Sequence, residues 1–576
     1  MITRHYTEEL ARLKELGAEF AQRHPALAPM LGGASADPDV ERLLEGVAFQ
    51  TALLRRKLDD DFPELVHDMV RLVAPHYLRP IPASTIVAFE PKPSLVQPQT
   101  IPAGMQLASV PVEGTRCLFR TTSPVEVHPL ALQDAAFSQP AGKAPAVTLR
   151  LALAGITLDQ WHPLSLRLFL AAGEAEAAEL YLLLSRSVSR IIITPADGGQ
   201  GAVLPASCLK PAGFSADEHL IPYPPHAFPG YRLLQEYLTA PRRFFFLDLT
   251  GWEQWTGRGP GGRFSVTFEL RSAPAQPPRV SRESIALFAA PAINLFAHDA
   301  DPIPLDHRKE RRLLRPAEMP PGHAEVFSVD RVTAFERGTS REYPLSPFEA
   351  FRMPADGRPT YHTTIAASPF RDGCDVRLSL AYPPGTVPPE GTTLSVSLTC
   401  TNGRLPESLR VGDLQEPTRD APAFASFRNI TPITPSAPPP LGPNLLWRLL
   451  SAIPLNRLSV AHADNLRECL GLYLFPGGDR TLLAANRRRI DGIERVTTRQ
   501  ADRIVRGAPM RGIEIRIDMR GDHFAGPGDL FLFGAVLDEF LAGSATLNTF
   551  TRLTIRETVR GEEYQWPQRA GYQPLL

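Results

Sequence analysis

Fifty-nine prolines are spread through almost the whole of this 576-residue chain, and they limit its folding more than any other feature. An interior proline forfeits a helical hydrogen bond and destabilises a helix by about 3 kcal/mol, so long helices can form only in proline-sparing windows. Three such windows open the sequence. In the first, Tyr6, Leu10, Leu13, Gly17 and Phe20 recur at spacings of 4, 3, 4 and 3, a heptad-like seam, before His24-Pro25 closes the run. In the second, Asp37 stands as a cap, Pro38 takes the first helical position, and Val40, Leu44, Val47, Thr51, Leu54 and Leu58 repeat the seam up to Pro63. A third helix is expected from Pro63 to Tyr77, with Leu65, Met69, Leu72 and His76 on one face and Asp59-Asp60-Asp61 as negative charge at its start.

From Pro80 the texture changes to short β-branched and aromatic runs cut by Pro and Gly, the pattern of many short strands. Strands are expected at residues 85–89, 147–153, 180–193, 264–270, 376–381 and 394–400. Residues 429–447 are uncharged and long enough to resemble a membrane span, but they hold Pro432, Pro435, Pro438, Pro439, Pro440 and Pro443, which makes an exposed strap the expectation. Beyond it, Ile513 to Met519 alternates apolar and charged residues as a half-buried strand does. Gly526-Pro527-Gly528 then turns the chain, Asp529 can cap a helix from Leu530 to Leu541 ended by Gly543, and Leu553 and Ile555 suggest a further strand. The run Leu530 to Leu537 is apolar nearly all round, so that helix should be buried. The expected fold class is multidomain α+β: a helical segment at 1–82, β-rich domains at 83–275 and 276–430, a Pro-rich strap at 431–443 and an α+β domain at 444–576.

The formal charge of -1 leaves no global field to draw the chain to nucleic acid or anionic lipid. Its five cysteines are too scattered for a disulfide framework or a zinc site, and free thiols in a reducing compartment are expected. The first turns are charged and amphipathic, with no apolar stretch to serve as a secretory signal. No phosphate-cradling loop, paired-histidine zinc motif or nucleophile elbow is present. His298, Asp299 and Asp301, then His462 and Asp464, then Asp522 and His523 carry ligand-type atoms without metal-site spacing, and Asp464 can equally cap a helix. Arg487-Arg488-Arg489, with Asp491 and Glu494 nearby, reads as a solvated face or a contact to an acidic protein patch. Trp252 and Trp255, beside Gly257, Gly259, Gly261 and Gly262, are read as packed under a Gly-rich hairpin, the competing reading being an aromatic platform for a sugar or base. No enzyme activity, metal or cofactor is expected.

One longer comparison organises these observations. Residues 37–80, DPDVERLLEGVAFQTALLRRKLDDDFPELVHDMVRLVAPHYLRP, closely resemble the TssF (VasA/ImpG) family of type VI secretion baseplate proteins, and departures from the family pattern, such as Gln50 and Ala83 in otherwise matching stretches, are few. Other segments resembling the family are Pro229 to Tyr237 (PGYRLLQEY), Ile293 to Phe296 (INLF), Thr401 to Pro406 (TNGRLP), Gly528 to Leu537 (GDLFLFGAVL) and Leu547 to Phe550 (LNTF). The resemblance implies a non-enzymatic wedge component in which two TssF copies join one TssG. It further implies that TssK trimers and TssE attach, that six wedges surround the VgrG hub, and that the sheath polymerises from the baseplate at the cytoplasmic face of the inner membrane. The candidate partner-binding residues are those of the two N-terminal seams: Tyr6, Leu10, Leu13, Gly17, Phe20, Val40, Leu44, Val47, Leu54 and Leu58. A stripe two positions wide per heptad suits a helix bundle better than a β-rich globule, so these helices are expected to meet the TssG-like partner or a second copy. The alternative reading is a β-rich carbohydrate-active enzyme or binding protein, which would need two carboxylates facing each other in a cleft.

Overall fold

A computed structural model describes residues 38–223, 229–274, 276–306, 309–336, 342–348, 358–368, 373–383, 391–441, 462–475, 477–505, 508–543, 545 and 549–571, with scattered positions between 6 and 20 and Leu449. At 54–66 and at a few element ends only the backbone is described. The chain is a multidomain α+β protein with several separate sheets. It divides into two compact units, Met1–Val73 with Leu441–Leu450, and Ala74–Pro440 with Ser451–Leu576.

The smaller unit is helical in its described parts. Helix α1 runs unbroken over Pro38–Val73, which corrects the expected break at Pro63. A single proline gives up one backbone hydrogen bond, and the strong helix formers on both sides keep the remaining turns intact. The helix stops where Ala74, restricted by the proline that follows it, adopts φ -140° and ψ 59°, and Pro75–Leu78 forms a 3-10 turn. His76 therefore lies in that turn and not on a third helix.

In the larger unit, the first sheet has the order Ala425–Asn429, Ser84–Pro91, Ala289–Ile293, Thr115–Thr121, Gln106–Val112. Ser84–Pro91 is buried at its first six positions, as a strand covered on both faces must be. It pairs antiparallel with Ala289–Ile293 on one side and Ala425–Asn429 on the other, so hydrogen bonding runs across the division expected at residues 275 and 276. A second five-stranded sheet contains Ala146–Leu153, Val188–Pro195 and Arg263–Leu270, and an eight-stranded one is built around Glu325–Glu336 and Thr392–Thr401.

The expected strand at 180–193 is wrong in its first half. Helix α2 covers Glu174–Arg186, and the strand begins only at Val188. Ala, Glu and Leu dominate up to Arg186, and β-branched residues take over only afterwards, so propensity changes sign at that point.

The Pro-rich strap is also not exposed as expected. Thr431, Ser436, Ala437, Pro439 and Pro440 are buried, while Pro432 and Pro438 face outward. The N–H of Thr434 donates to the Ser84 carbonyl at 2.8 Å, and Ala437 and Ile81 exchange N–H to carbonyl bonds at 3.0 and 2.8 Å. The Thr431 hydroxyl accepts from the Ile86 N–H at 3.0 Å. Residues 431, 434 and 437 thus face the sheet edge at every third position, the repeat of an extended proline-rich backbone, and the prolines fall between them. Residues 442 and 443 lie outside the described residues.

Helix α3 is Pro229–Thr239, α4 is Ala463–Gly471 and α5 is Arg480–Asp491. The last sheet pairs Ile493–Val505 antiparallel with Ala508–Met519, which in turn runs parallel to Thr549–Glu557. Helix α6, Pro527–Gly543, makes the crossover and is buried from Gly528 to Asp538, in agreement with its all-round apolar sequence. Asp529 lies in its first turn and does not cap it.

Candidate functional site

The N-terminal seams are described only in part. Tyr6, Leu10, Leu13, Val40 and Leu44 are half-buried, whereas Phe20 is 46% and Val47 49% exposed. Gly17 and the side chains of Leu54 and Leu58 lie outside the described residues. Among the described side chains of α1 in the seam's stretch, Ala48 and Ala52 are the buried ones, following Leu44 at steps of four, and Val70 is buried near the helix's end. A straight helix drifts by about 20° per heptad against a 3.5-residue repeat, so the buried line leaves the 4-3-4-3 seam and Val47 turns outward. Periodicity read at 3.6 residues would have found the two alanines. Leu43, at 68% exposed, extends the apolar edge beside Val47. Lys14 and Glu41 form an ion pair at 3.0 Å between the N-terminal segment and α1.

The segments that carry the family resemblance hold polar side chains in the interior. Asn294 and Asn402 are both fully buried. The Asn294 amide donates to the Leu118 carbonyl and to Asn402 Oδ1, each at 2.8 Å, and its Oδ1 accepts from the Asn402 N–H at 2.7 Å and the Thr401 hydroxyl at 2.9 Å. Asn402 donates onward to the His323 carbonyl at 3.0 Å, and the Leu118 N–H donates to Asn402 Oδ1 at 3.0 Å. Gly403 follows with φ +56°, a left-handed conformation that side chains resist. These two segments fasten the first sheet to the eight-stranded one.

In α3, Glu236 is fully buried and its carboxylate accepts the N–H groups of Leu220 and Ile221 at 2.9 Å each, together with the Arg243 guanidinium. Arg243 also donates to the carbonyls of Gly213 and Glu218, both at 2.6 Å. On α5, Arg489 reaches Asp529 at 2.9 Å and Asn486 at 2.7 Å, and Asn486 donates to the Leu238 carbonyl at 2.7 Å. Helices α3, α5 and α6 are thereby tied together. On α6, a Cβ added to Gly534 would lie 2.3 Å from Trp566, and one on Gly528 would lie 2.3 Å from the Ala178 backbone, so both glycines are needed for close packing. Asp538 pairs with Arg569, and burial pushes its carboxyl up to about 6. His76 stacks on Tyr223 at 4.4 Å with its Nε2 3.3 Å from the Tyr473 hydroxyl, and burial pushes the imidazole down to about 3.

The remaining candidates are structural. Trp252 and Trp255 are buried with Trp161, and Arg258 donates to the carbonyls of all three tryptophans, so no aromatic platform is offered to a sugar. His462 stands at the start of α4 without a side-chain capping bond, leaving Asp464 in the first turn, where it pairs with Arg467 at 3.3 Å. His298 bonds the Ala317 carbonyl, Asp522 pairs with Arg520, and His523 bonds the Arg488 carbonyl. Among the described residues no group of three or more His, Cys, Asp or Glu is gathered in a way that could hold a metal ion. Arg487 and Arg488 are exposed, but Arg489 is buried on Asp529, which corrects the reading of the triplet as one solvated face. None of the five cysteines forms a disulfide. Among the described residues no helix is long and apolar enough to cross a membrane.

The sequence is 32% identical over 626 residues to the type VI secretion system component TssF1 of Pseudomonas aeruginosa, with 99% of each chain covered. A chain from the cryo-electron microscopy structure of the type VI secretion system TssK-TssF-TssG baseplate subcomplex is similar with a TM-score of 0.75 and 30% identity, covering 92% of this chain and 99% of that one. A chain from the baseplate complex of the type VI secretion system gives 0.62 at 26% identity, with both chains covered throughout. The family described as type VI secretion system, TssF, matches residues 1–573, and the chain belongs to that family.

Proposed function

We propose that this chain is a structural wedge subunit of a type VI secretion baseplate, with no catalytic role. It assembles with TssG-like and TssK-like proteins. Two copies join each TssG-like subunit, and TssE, the VgrG hub and the sheath are neighbours in the larger assembly at the cytoplasmic face of the inner membrane. The observation that carries this reading is the full-length likeness to chains solved within baseplate complexes. The half-buried and exposed apolar positions of the N-terminal seams, Tyr6, Leu10, Leu13, Phe20, Val40, Leu44 and Val47, are the contact for the TssG-like partner or the second copy. Co-expression with the TssG-like and TssK-like products of the same system, followed by size and mass measurement, tests the assembly. A chain that elutes alone in the presence of both overturns it.

A further inference from the structure

The face of the last sheet turned away from α6 carries a surplus of cations. In register across three strands stand Arg495, Asp518 and Arg556, then Thr497, Arg516 and Thr554, then Arg499, Glu514 and Arg552. Arg503 follows on the same face, and Glu563 stands opposite Arg556 on the next strand. Six arginines thus share three carboxylates.

The two charges also lie at different depths. The side chains of Glu514 and Asp518 are 21% and 19% exposed, against 78% for Arg499 and 49% for Arg556. Glu514 is shared by Arg503 at 2.6 Å, Arg499 at 2.8 Å and Arg552 at 3.9 Å. One carboxylate offers about four lone-pair sites and each guanidinium five donors, so Glu514 can take up only a minority of these N–H groups. Arg503 and Arg552 also border a shallow depression with Gln565, Pro567 and Gln568.

We propose that this face is a docking surface for a carboxylate-rich segment of a partner protein. The planar guanidinium fork matches carboxylates in bidentate fashion. A single-stranded nucleic acid fits less well, because none of the three registers carries an aromatic side chain on which a base could stack. The inference concerns this sheet alone and stands whether or not the seams at the N-terminus bind the TssG-like protein.

The test uses the full chain and a fluorescent oligo-glutamate peptide of about twelve residues, titrated by anisotropy in about 50 mM NaCl, where surface charges are weakly screened. An oligothymidylate of the same length is the comparison probe. Arg495→Ala with Arg499→Ala and Arg556→Ala equalises the charges while leaving Arg503 and Arg552 on Glu514 and Arg516 on Asp518. Peptide binding should fall at least about tenfold, and Arg487→Ala with Arg488→Ala should leave it unchanged. Should the triple variant melt earlier than the parent, Arg495→Gln alone, at the position without an ion pair among the described residues, should weaken binding by about threefold. Absence of peptide binding, an unchanged affinity in a folded variant, or oligothymidylate binding as tightly as the peptide overturns the proposal.

Discussion

Asn294 and Asn402, 108 positions apart in sequence, bond to one another at 2.8 and 2.7 Å with both side chains sealed from solvent. Each lies in a segment that resembles the family, and neither reaches a site of chemistry. Their work is to satisfy backbone groups where two sheets meet, since a buried polar group left unpaired costs about 1–3 kcal/mol.

Asn402→Ala strands the Leu118 N–H and the Asn294 amide, and should destabilise the larger unit by about 2–5 kcal/mol. Adding Asn294→Ala should cost much less than its effect alone, with a coupling of about 0.5–3 kcal/mol. Denaturant unfolding of the four members of the cycle measures both quantities, and strict additivity would contradict the interlock.

Gly534→Ala sets two effects against each other. Helix propensity favours alanine by up to about 1 kcal/mol, but the new Cβ meets Trp566 at 2.3 Å and Ile555 at 2.7 Å, and overpacking costs about 1–3 kcal/mol. Packing should win, and the melting temperature should fall. Gly46→Ala in α1, where nothing lies within 4 Å, should not lower it.

His76 supplies a pH dependence. Its folded-state pKa of about 3 lies below the ordinary value of 6.5, so its neutral form is favoured by folding. The stability it contributes is complete above pH 6.5 and declines as pH falls toward 3, a loss of about 2 kcal/mol by pH 5. His76→Phe keeps a ring against Tyr223 and removes the titration, so its stability should decline less than the parent's between pH 7 and pH 5. Parallel decline in both proteins would show that other groups set the acid response.

At the N-terminus, Leu13→Asp with Phe20→Ala should weaken co-purification with the TssG-like protein by several kcal/mol, since each large apolar side chain contributes about 1.5–3 kcal/mol when buried. The β-rich sheets should melt unchanged. An intact complex, or unfolding of the isolated chain, would place these residues in an internal core instead.

Much of the architecture was legible from local rules. The alternation of Ile513 to Met519 and the apolar run from Leu530 specify strand and buried helix, because period is a property of neighbouring residues, whereas the turn read at Gly526-Pro527-Gly528 is the first turn of α6 from Pro527 onward. The N-terminal seam was legible as apolar, but which of its positions turn inward was not, since Ala48 and Ala52 displace Val47.

By itself, then, the sequence determined the β-rich texture beyond Pro80, the alternating strand before α6, the buried apolar helix and which family segments are present, because side-chain periodicity acts within a few residues. It did not determine that α1 continues past Pro63 or that the strand after α2 starts only at Val188. Only the tertiary structure decided that the strap at Thr431 to Ala437 lies against Ile81, Ser84 and Ile86, that Arg489 leaves its exposed neighbours for Asp529, and that Asn294 finds Asn402. A buried donor must have a partner, and in each case that partner lies tens to hundreds of positions away, where no local pattern can announce it.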